Sequence, residues 1–295
     1  MIDWQNAVER LEGAYSPHTL RSYRVDFRCF AEWCGAQDET PLPATPALVA
    51  RYLDAEAPRL KPSTLKRRIC GIRKIHRLHG HSDPTDDLEV DLAFRRVRRL
   101  KPSRPDQAFG VTAELRDRLL AACGDDLMGL RDQVAIAVGF DTLCRRGELV
   151  AISLEDLSAD ETGRYTVLVR RAKNDPDGSG RTAKLSSRAS ALVREWLERT
   201  GITSGPLLRA VYQGHVKEDH LQPITVARIL KKVAGRVDIE EDKRRKVRGH
   251  SLRVGGAQQL TLNGHGLLVI MRAGGWKSMN VVARYVEHLD IDVWG

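Results

Sequence analysis

Two short-range pairs of side chains in the sequence include three residues suited to binding an anion, namely Arg145, His250 and Arg253. Arg145 stands three residues before Glu148 in the stretch DTLCRRGEL, and His250 stands three residues before Arg253 in GHSLRVGGA. Side chains three residues apart lie on the same face of a helix, so each pair is expected to project together. Guanidinium and imidazole N–H groups form charge-assisted hydrogen bonds to phosphate oxygens. These residues therefore favour chemistry on a phosphate group.

Two aromatic residues near the end of the sequence extend this set. Trp276 supplies an indole N–H, and Tyr285, nine residues later in GGWKSMNVVARYVEHLD, supplies a phenol that can act as a nucleophile. Donors placed around a pentacoordinate phosphate stabilise the charge that develops on it. Each feature also has an ordinary structural explanation, because arginine–glutamate pairs often bridge helix surfaces and aromatic residues often pack in cores. The residue types alone leave both explanations open.

The N-terminal part of the sequence carries only helix signals. Ser16-Pro17 and Thr45-Pro46 each place an N-cap residue before a proline at the first helical position, and a further helix is expected over 87–100. The stretch KPSRPDQAFG is rich in proline and cannot continue a helix. We therefore expect an N-terminal helical domain over 1–104, a linker over 105–111 and a second domain over 112–295.

The second domain is predicted to be mostly helical with one small sheet. Thr112 opens a helix, and Tyr165–Val169 is rich in residues that favour strands. The stretch NDPDGSG that follows is a turn, and 181–185 is the expected return strand of a hairpin. The remainder of the domain is expected to be helical. The predicted fold class is mainly α with a small antiparallel sheet, arranged as a two-domain DNA clamp.

Charge indicates a nucleic-acid partner. The 295 residues include 48 lysines and arginines against 39 acids, giving a net charge of +9 and a pI near 9.5. Residues 61–77 contain seven basic side chains and no acid, with apolar residues at helical spacing on the opposite face. Such a cationic stripe can follow DNA phosphates, although it can also be a solvated helix face. The predicted DNA contacts are Lys66, Arg67, Arg73, Lys74, Arg77, Arg99, Lys101, Lys243, Arg244 and Arg245.

Several classes of protein are excluded. The 42% hydrophobic content is too high for a disordered chain, and no apolar run is long enough to span a membrane. The N-terminus lacks the apolar core of a signal peptide. The five cysteines have no CxxC spacing, which argues against a zinc site or a disulfide framework and favours the cytoplasm. His76, His79 and His81 are close together, but no nearby ligand completes a metal site, so a structural role is favoured.

Six of the candidate residues form an ordered series whose spacing can be compared with known active sites. They are Arg145, Lys173, His250, Arg253, Trp276 and Tyr285, with a 26-residue step from the histidine to the tryptophan. This arrangement resembles the active-site signature of the tyrosine recombinases, also called the λ-integrase family, and in particular its Cre-type members. The likeness covers about 112–290, and the N-terminal part, with SPHTLRSYRVDFRCFAEWC, is similar more weakly to the core-binding domain of that group.

The resemblance implies a role for each residue. Tyr285 would attack the scissile phosphate, giving a 3′-phosphotyrosyl DNA and a free 5′-hydroxyl. Arg145 and Arg253 would clamp the non-bridging oxygens. His250 would hydrogen-bond the same phosphate and assist proton movement from the tyrosine, and Trp276 would donate its indole N–H.

Two further roles follow from the same resemblance. Lys173 would protonate the leaving 5′-oxygen, and its position just before the hairpin turn favours it over Lys184, Lys217 and the run 243–246. Glu148 would orient Arg145 or tune the local protonation. No metal and no cofactor are expected, because positioned cationic side chains can do the electrostatic work of phosphoryl transfer.

The expected partners are double-stranded DNA with an inverted-repeat site and further copies of the chain, forming a tetramer on paired sites, with no membrane. Because few residues follow Tyr285, the C-terminal helix by which Cre-type relatives dock on a neighbouring protomer is expected to be missing or reduced. The favoured function is site-specific DNA recombination. The alternatives are a type IB topoisomerase, which would relax DNA of any sequence, and an accessory DNA-binding protein that does not cleave.

Overall fold

The computed structural model describes residues 4–101, 106–170, 180–287 and 289. The chain divides into two compact units, Met1–Pro105 and Asp106–Gly295. The predicted fold class, mainly helical with small antiparallel sheets, is confirmed. The segment 290–295, where a C-terminal docking helix was expected to be reduced, lies outside the described residues.

The described part of the N-terminal unit is all helical. Its helices are α1 (Trp4–Glu9), α2 (Pro17–Gly35), α3 (Pro46–Glu56), α4 (Pro62–Leu78) and α5 (Leu88–Leu100). The predicted N-caps are present, since the Ser16 and Thr45 side chains accept hydrogen bonds from backbone N–H groups in the first turns of α2 and α3. The apolar face of α4 packs in the core through Leu65, Ile69, Ile72 and Ile75, which turns its basic face outward.

The second unit is built around a long buried helix. Its helices are α6 (Ala113–Ala121), α7 (Leu127–Thr142), α8 (Arg146–Val150), α9 (Ser187–Thr200), α10 (Pro223–Ala234), α11 (Glu241–Arg245), α12 (Ser251–Leu262), α13 (Leu267–Gly274) and α14 (Met279–Val286). Most of α7 is buried, because apolar residues occupy every side of its turns over 134–140 and the buried Arg131 and Asp132 form an ion pair at 2.8 Å. Among the described residues of either unit, no helix has the length and apolar character needed to cross a membrane.

The predicted hairpin is present as part of a three-stranded sheet. Strands β1 (Leu157–Ala159), β2 (Tyr165–Val169) and β3 (Arg181–Lys184) pair antiparallel in that order. Residues 174–179 of the predicted turn NDPDGSG lie outside the described residues, and its last residue, Gly180, has a left-handed φ of 66° just before β3.

The expectation that the rest of the unit is helical was wrong for one segment. Strands β4 (Arg209–Tyr212) and β5 (His215–His220) form a second hairpin, with Tyr212 paired to His215. The two residues between them, Gln213 and Gly214, have φ values of 49° and 77°. Positive φ at both positions is what a tight two-residue hairpin turn requires, and the glycine was its sequence signal.

Candidate active site

The C-terminus of α7 supplies two carbonyl groups that hold arginines. Leu143, the residue after the helix, has a left-handed backbone with a φ of 53°, which turns the chain toward α8. The Leu143 carbonyl accepts a hydrogen bond from Arg253 Nη1, and the Thr142 carbonyl accepts one from Arg181 Nη2 at 2.6 Å. The end of a helix carries unpaired carbonyls and a partial negative charge, so it favours cations.

Arg145 is the N-cap residue of the short helix α8, and hydrogen bonds to Glu148 hold its backbone and its side chain. The Glu148 carboxylate accepts hydrogen bonds from the Arg145 backbone N–H at 3.0 Å and from Arg145 Nη1 at 2.6 Å. The glutamate is buried, whereas the arginine side chain keeps 23% of its surface exposed. Within the described ranges Nη1 makes the one side-chain hydrogen bond of Arg145, so its other guanidinium N–H groups can bind a ligand on the exposed side.

Arg253 is the third residue of α12 and lies in its first turn, three positions after the N-cap residue His250. Its side chain is only 1% exposed, and its Nε and Nη2 atoms have no hydrogen-bond partner among the described residues. A buried cation with unpaired donors is costly unless an anion satisfies them. The local structure therefore prepares Arg253 for an anionic ligand.

Burial and repulsion depress two pKa values in this cluster. Burial, followed by the positive charge of Arg145, lowers the pKa of Arg253 to about 10. Burial, followed by the charges of Arg253 and Arg145, lowers the pKa of His250 below its usual 6.5. His250 is therefore neutral at physiological pH, where its imidazole has one nitrogen free to accept a proton.

Trp276 is placed by two glycines. Gly274 ends α13 with its Cα against the indole, since a Cβ built there would lie 2.0 Å from the ring, and Gly275 has a left-handed φ of 65°. The indole is 7% exposed and lies against the guanidinium of Arg253, with 4.1 Å between Arg253 Cζ and the ring centroid. This cation–π contact orients the arginine without using its N–H groups.

Tyr285 lies on α14 beside these groups. Its ring centroid is 6.3 Å from that of His250 and 5.8 Å from that of Trp276. Tyr285 also interacts electrostatically with Arg253, whose protonated form it favours. The cluster thus combines a phenol, a neutral imidazole, an indole and two guanidinium groups around one point, the set needed to bind and attack a phosphodiester.

The structure brings most of the predicted catalytic residues together and leaves one undescribed. Those that cluster are Arg145, Glu148, His250, Arg253, Trp276 and Tyr285. Lys173 lies outside the described residues. Its rival Lys184 forms an ion pair with Asp160 at 2.9 Å, and Lys217 lies over the ring of Tyr212.

Several predicted DNA contacts on α4 have partners within their own unit. Arg67 forms a two-pronged ion pair with the buried Asp26, at 2.7 and 2.8 Å, and Arg73 and Arg77 share Asp83. One carboxylate against two guanidinium groups leaves a net positive charge.

Two lysines of α4 contact aromatic residues. Lys74 donates to the Tyr15 hydroxyl at 2.9 Å, and Lys66 lies over the ring of Phe94. The stripe is therefore a pre-ordered, partly neutralised surface rather than a row of free charges.

The other predicted DNA contacts fall into two groups. Lys101 donates to the carbonyl oxygens of Pro58 and Leu60, whereas Arg99 is exposed on α5. In the basic run 243–246, Lys243 forms an ion pair with Glu240, and both Arg244 and Arg245 form ion pairs with Glu241.

Comparison with known proteins identifies the family. Residues 111–291 match the model of the phage integrase family, and residues 7–79 match a phage integrase N-terminal SAM-like domain. An integrase/recombinase XerD homologue of Selenomonas ruminantium is 31% identical over 297 aligned residues, which cover 97% of this chain and 86% of that protein. The chain belongs to the phage integrase family of tyrosine recombinases. The predicted family and activity, site-specific DNA recombination, are confirmed.

Other similarities extend over nearly all of the recombinase. The recombinase Cre of Escherichia phage P1 is 27% identical, with 94% of this chain and 86% of that protein covered. A crystal structure of the XerH recombinase bound to a palindromic difH substrate shares the fold, with a TM-score of 0.64 at 16% identity, covering 92% of this chain and 76% of that one. The comparisons favour recombination over the topoisomerase and accessory alternatives.

Sequence reasoning missed Arg181 of the recombinase. Its Nη1 donates to the Ala273 carbonyl at 2.8 Å, and its Nη2 donates to the Thr142 carbonyl and lies 3.5 Å from Cys144 Sγ. The residue thereby ties β3 to α7 and to the end of α13, which precedes Trp276. Its Nε is buried without a hydrogen-bond partner among the described residues. A lone arginine at the start of a predicted strand gave no sequence signal for this role.

Proposed function

We propose that this recombinase cleaves DNA by attack of the Tyr285 phenolic oxygen on the scissile phosphorus. The new bond is a 3′-phosphotyrosyl ester, the broken bond is that to the 5′-oxygen, and the leaving group departs as a 5′-hydroxyl. The observation that carries this proposal is the buried guanidinium of Arg253 beside the tyrosine, with two nitrogens that have no hydrogen-bond partner in the described part of the chain. A phosphate supplies the acceptors that those nitrogens lack.

The remaining described residues have complementary roles in this proposal. Arg145, oriented by Glu148, binds a second non-bridging oxygen through the N–H groups that the carboxylate does not use. His250 is neutral, so it can accept the tyrosine proton during attack and return it during religation. Trp276 stacks on Arg253 and presents its indole N–H to the phosphate. Each donor stabilises charge that grows in the transition state, and losing one typically costs about 10²–10³ in rate.

We assign the general acid to Lys173. The 5′-oxygen needs a proton as it leaves, and Lys173 follows β2 in the segment that leads to β3, whose Arg181 is tied to the active-site elements. The engagement of Lys184 with Asp160 and of Lys217 with Tyr212 supports this choice.

We further propose that 1–104 forms a core-binding domain, joined by the linker 105–111 to a catalytic domain over 112–295. In this proposal the recombinase acts in the bacterial cytoplasm on paired, inverted-repeat sites as a tetramer. The net charge of +9, the basic face of α4 and the palindromic substrate of the XerH complex support binding to a repeated duplex site.

Covalent trapping tests the proposal. The protein is incubated with a randomised duplex library nicked so that cleaved ends diffuse away, and the DNA in SDS-resistant adducts is sequenced, with Tyr285→Phe as the control. Adducts that require Tyr285 and converge on an inverted repeat are expected. Adducts without sequence convergence would instead indicate topoisomerase-like cleavage. Sequence-selective binding with no adduct would indicate an accessory protein.

A further inference from the structure

The carbonyl oxygen of Tyr285 lies within hydrogen-bond distance of two glutamine side chains. Gln258 Nε2, on α12, donates to it at 2.9 Å, and Gln107 Nε2, in the segment before α6, donates at 3.4 Å. The last four carbonyl groups of a helix have no partner within that helix. Tyr285 is the penultimate residue of α14, so these amides satisfy a carbonyl that the helix leaves open.

Among the described residues, α14 is otherwise held mainly by apolar and aromatic contacts. The helix has eight residues, of which only Val282 is buried, in a small cluster with Leu143, Ala257, Ile270 and Trp276. A helix of this length is not stable alone and depends on its packing. Val281 and the Tyr285 ring also pack, partly buried, against this cluster. Apolar contacts are not directional, so a hydrogen bond at the end of α14 is suited to set the position of the Tyr285 phenol relative to Arg253.

Gln258 is itself held against the backbone of the segment that follows the domain boundary. Its side chain is 9% exposed, and a Cβ built on Gly110 would lie 1.9 Å from Gln258 Oε1. One turn earlier on α12, a Cβ built on Gly255 would lie 1.8 Å from the Val111 carbonyl oxygen. The Val111 N–H also donates to the Ser251 carbonyl at 2.9 Å. The two glycines therefore allow a close backbone contact that confines the Gln258 amide.

We propose that Gln258, assisted by Gln107, is a positioning residue for the nucleophile. By donating to the Tyr285 carbonyl it anchors the end of α14 and sets the phenol at attacking distance from the phosphate. It acts on the backbone of the nucleophilic residue and not on the reacting atoms. The inference rests on the proposed function of Tyr285.

The neighbouring glutamine provides a matched control. Gln259 Oε1 accepts a hydrogen bond from the Ala113 N–H at 3.0 Å, and its Nε2 donates to Asn263, so it joins α12 to α6 and makes no bond to Tyr285. Gln259→Leu therefore removes a similar amide from the same helix while leaving the nucleophile attached.

Single-turnover cleavage at saturating DNA measures the effect. Gln258→Leu is expected to lower the cleavage rate by about tenfold to a hundredfold, because small misplacement of a reacting group has that cost. DNA affinity should stay at the wild-type value, since Arg145 and Arg253 are untouched. Gln259→Leu should cleave at close to the wild-type rate. Equal rates for Gln258→Leu and wild type, or equal losses in the two leucine variants, would overturn the inference.

Gln258→Glu separates positioning from simple packing. A protonated carboxyl can donate to the Tyr285 carbonyl, whereas a carboxylate cannot. The rate of Gln258→Glu divided by that of Gln258→Leu should therefore rise as the pH is lowered from about 9 to about 6, as the introduced carboxyl becomes protonated. The division cancels the pH dependence of catalysis that both variants share. A ratio that does not change with pH would contradict a donor role.

Removing both glutamines tests whether they serve one carbonyl. Because Gln107 and Gln258 share an acceptor, Gln107→Leu should slow cleavage more in the Gln258→Leu background than in the wild type. Independent, additive effects would exclude a shared attachment. If wild-type protein forms no Tyr285-dependent adduct, the proposed function fails. If it does and the glutamine variants match it, only the positioning role fails.

Discussion

The guanidinium of Arg253 is held between the carbonyl of Leu143 and the indole of Trp276, whose ring centroid lies 4.1 Å from Arg253 Cζ. The tryptophan can therefore act in two ways, by orienting the arginine through its face and by donating its N–H to the phosphate. Because Trp276 is 7% exposed, it also contributes to the packing of α13 and α14.

Substitution of Trp276 should separate these contributions. Trp276→Phe keeps a ring face for Arg253 and loses the N–H, so cleavage should fall by about 10²-fold, the usual cost of one lost donor. Trp276→Ala removes both and should cost more in rate, together with about 3–5 kcal/mol of unfolding free energy. Single-turnover cleavage and urea denaturation measure the two effects. Similar rates for the two variants would show that the N–H alone matters.

The buried charge of Arg253 should lower the stability of the free protein while being required for cleavage. In the free protein its charge is buried with one hydrogen bond, and its lowered pKa of about 10 reflects the cost of that burial. Arg253→Met should therefore unfold at a Tm no lower than wild type, although a large buried side chain is changed, while cleavage falls by at least about 10²–10³.

Added phosphate or sulfate provides the matching control. These anions should raise the Tm of the wild type, since a ligand that binds only the folded state stabilises it. The same anions should have less effect on the Tm of Arg253→Met. An equal rise in both proteins would show that the anion binds elsewhere.

The catalytic cluster could be predicted from the sequence because the order and spacing of its members resemble the active-site signature of the tyrosine recombinases, which the residue pairs alone did not establish. Arg145 with Glu148, and His250 with Arg253, are pairs whose geometry follows from one helical turn. The attachments of these residues could not be predicted in the same way. The contacts from Arg181 to Thr142 and from Gln258 to Tyr285 join residues 39 and 27 positions apart, and each depends on how helices pack.

His250 should give cleavage a characteristic pH dependence. Burial and the charges of Arg253 and Arg145 lower its pKa, so the neutral imidazole predominates at pH 6.5 and above. Cleavage should therefore show no histidine inflection above pH 6.5 and should fall only below it, as His250 becomes protonated. The assignment would be contradicted if the cleavage rate of the wild type rose through an inflection above pH 6.5 and this inflection were absent in His250→Gln.

The same lowered pKa has a consequence for stability. The unfolded chain binds a proton at His250 more readily than the folded protein, so unfolding is favoured as pH falls from 6.5 toward the lower folded pKa. Well above 6.5 both states bind few protons at this group and the effect disappears. His250→Gln should remove this part of the pH dependence in denaturation experiments. A slope unchanged by the substitution would place the titrating group elsewhere.

The cleavage rate of a Lys173 variant should be restored by a substrate with a better leaving group. If it protonates the departing 5′-oxygen, Lys173→Met should slow cleavage by about 10²–10⁴, the range for general acid catalysis. In a substrate with sulfur at the bridging 5′ position, the leaving group departs as a thiolate, which needs no proton. The variant should therefore cleave this substrate at close to the wild-type rate. Arg253→Met should not be rescued. Loss of activity on both substrates in Lys173→Met would point to a role other than proton donation.

The basic residues of the N-terminal unit should divide into structural and DNA-binding groups. Arg67 pairs with Asp26, whose side chain is only 1% exposed, whereas Arg99 is exposed on α5. Arg67→Met leaves a buried carboxylate unpaired and should destabilise the protein by about 3–5 kcal/mol. Arg99→Met should leave stability unchanged and reduce the slope of log affinity against log salt by about 0.9 for one lost phosphate contact. Urea denaturation and salt-dependent DNA titration of both variants measure the difference, and a stable Arg67→Met with a reduced salt slope would move Arg67 to the DNA-binding group.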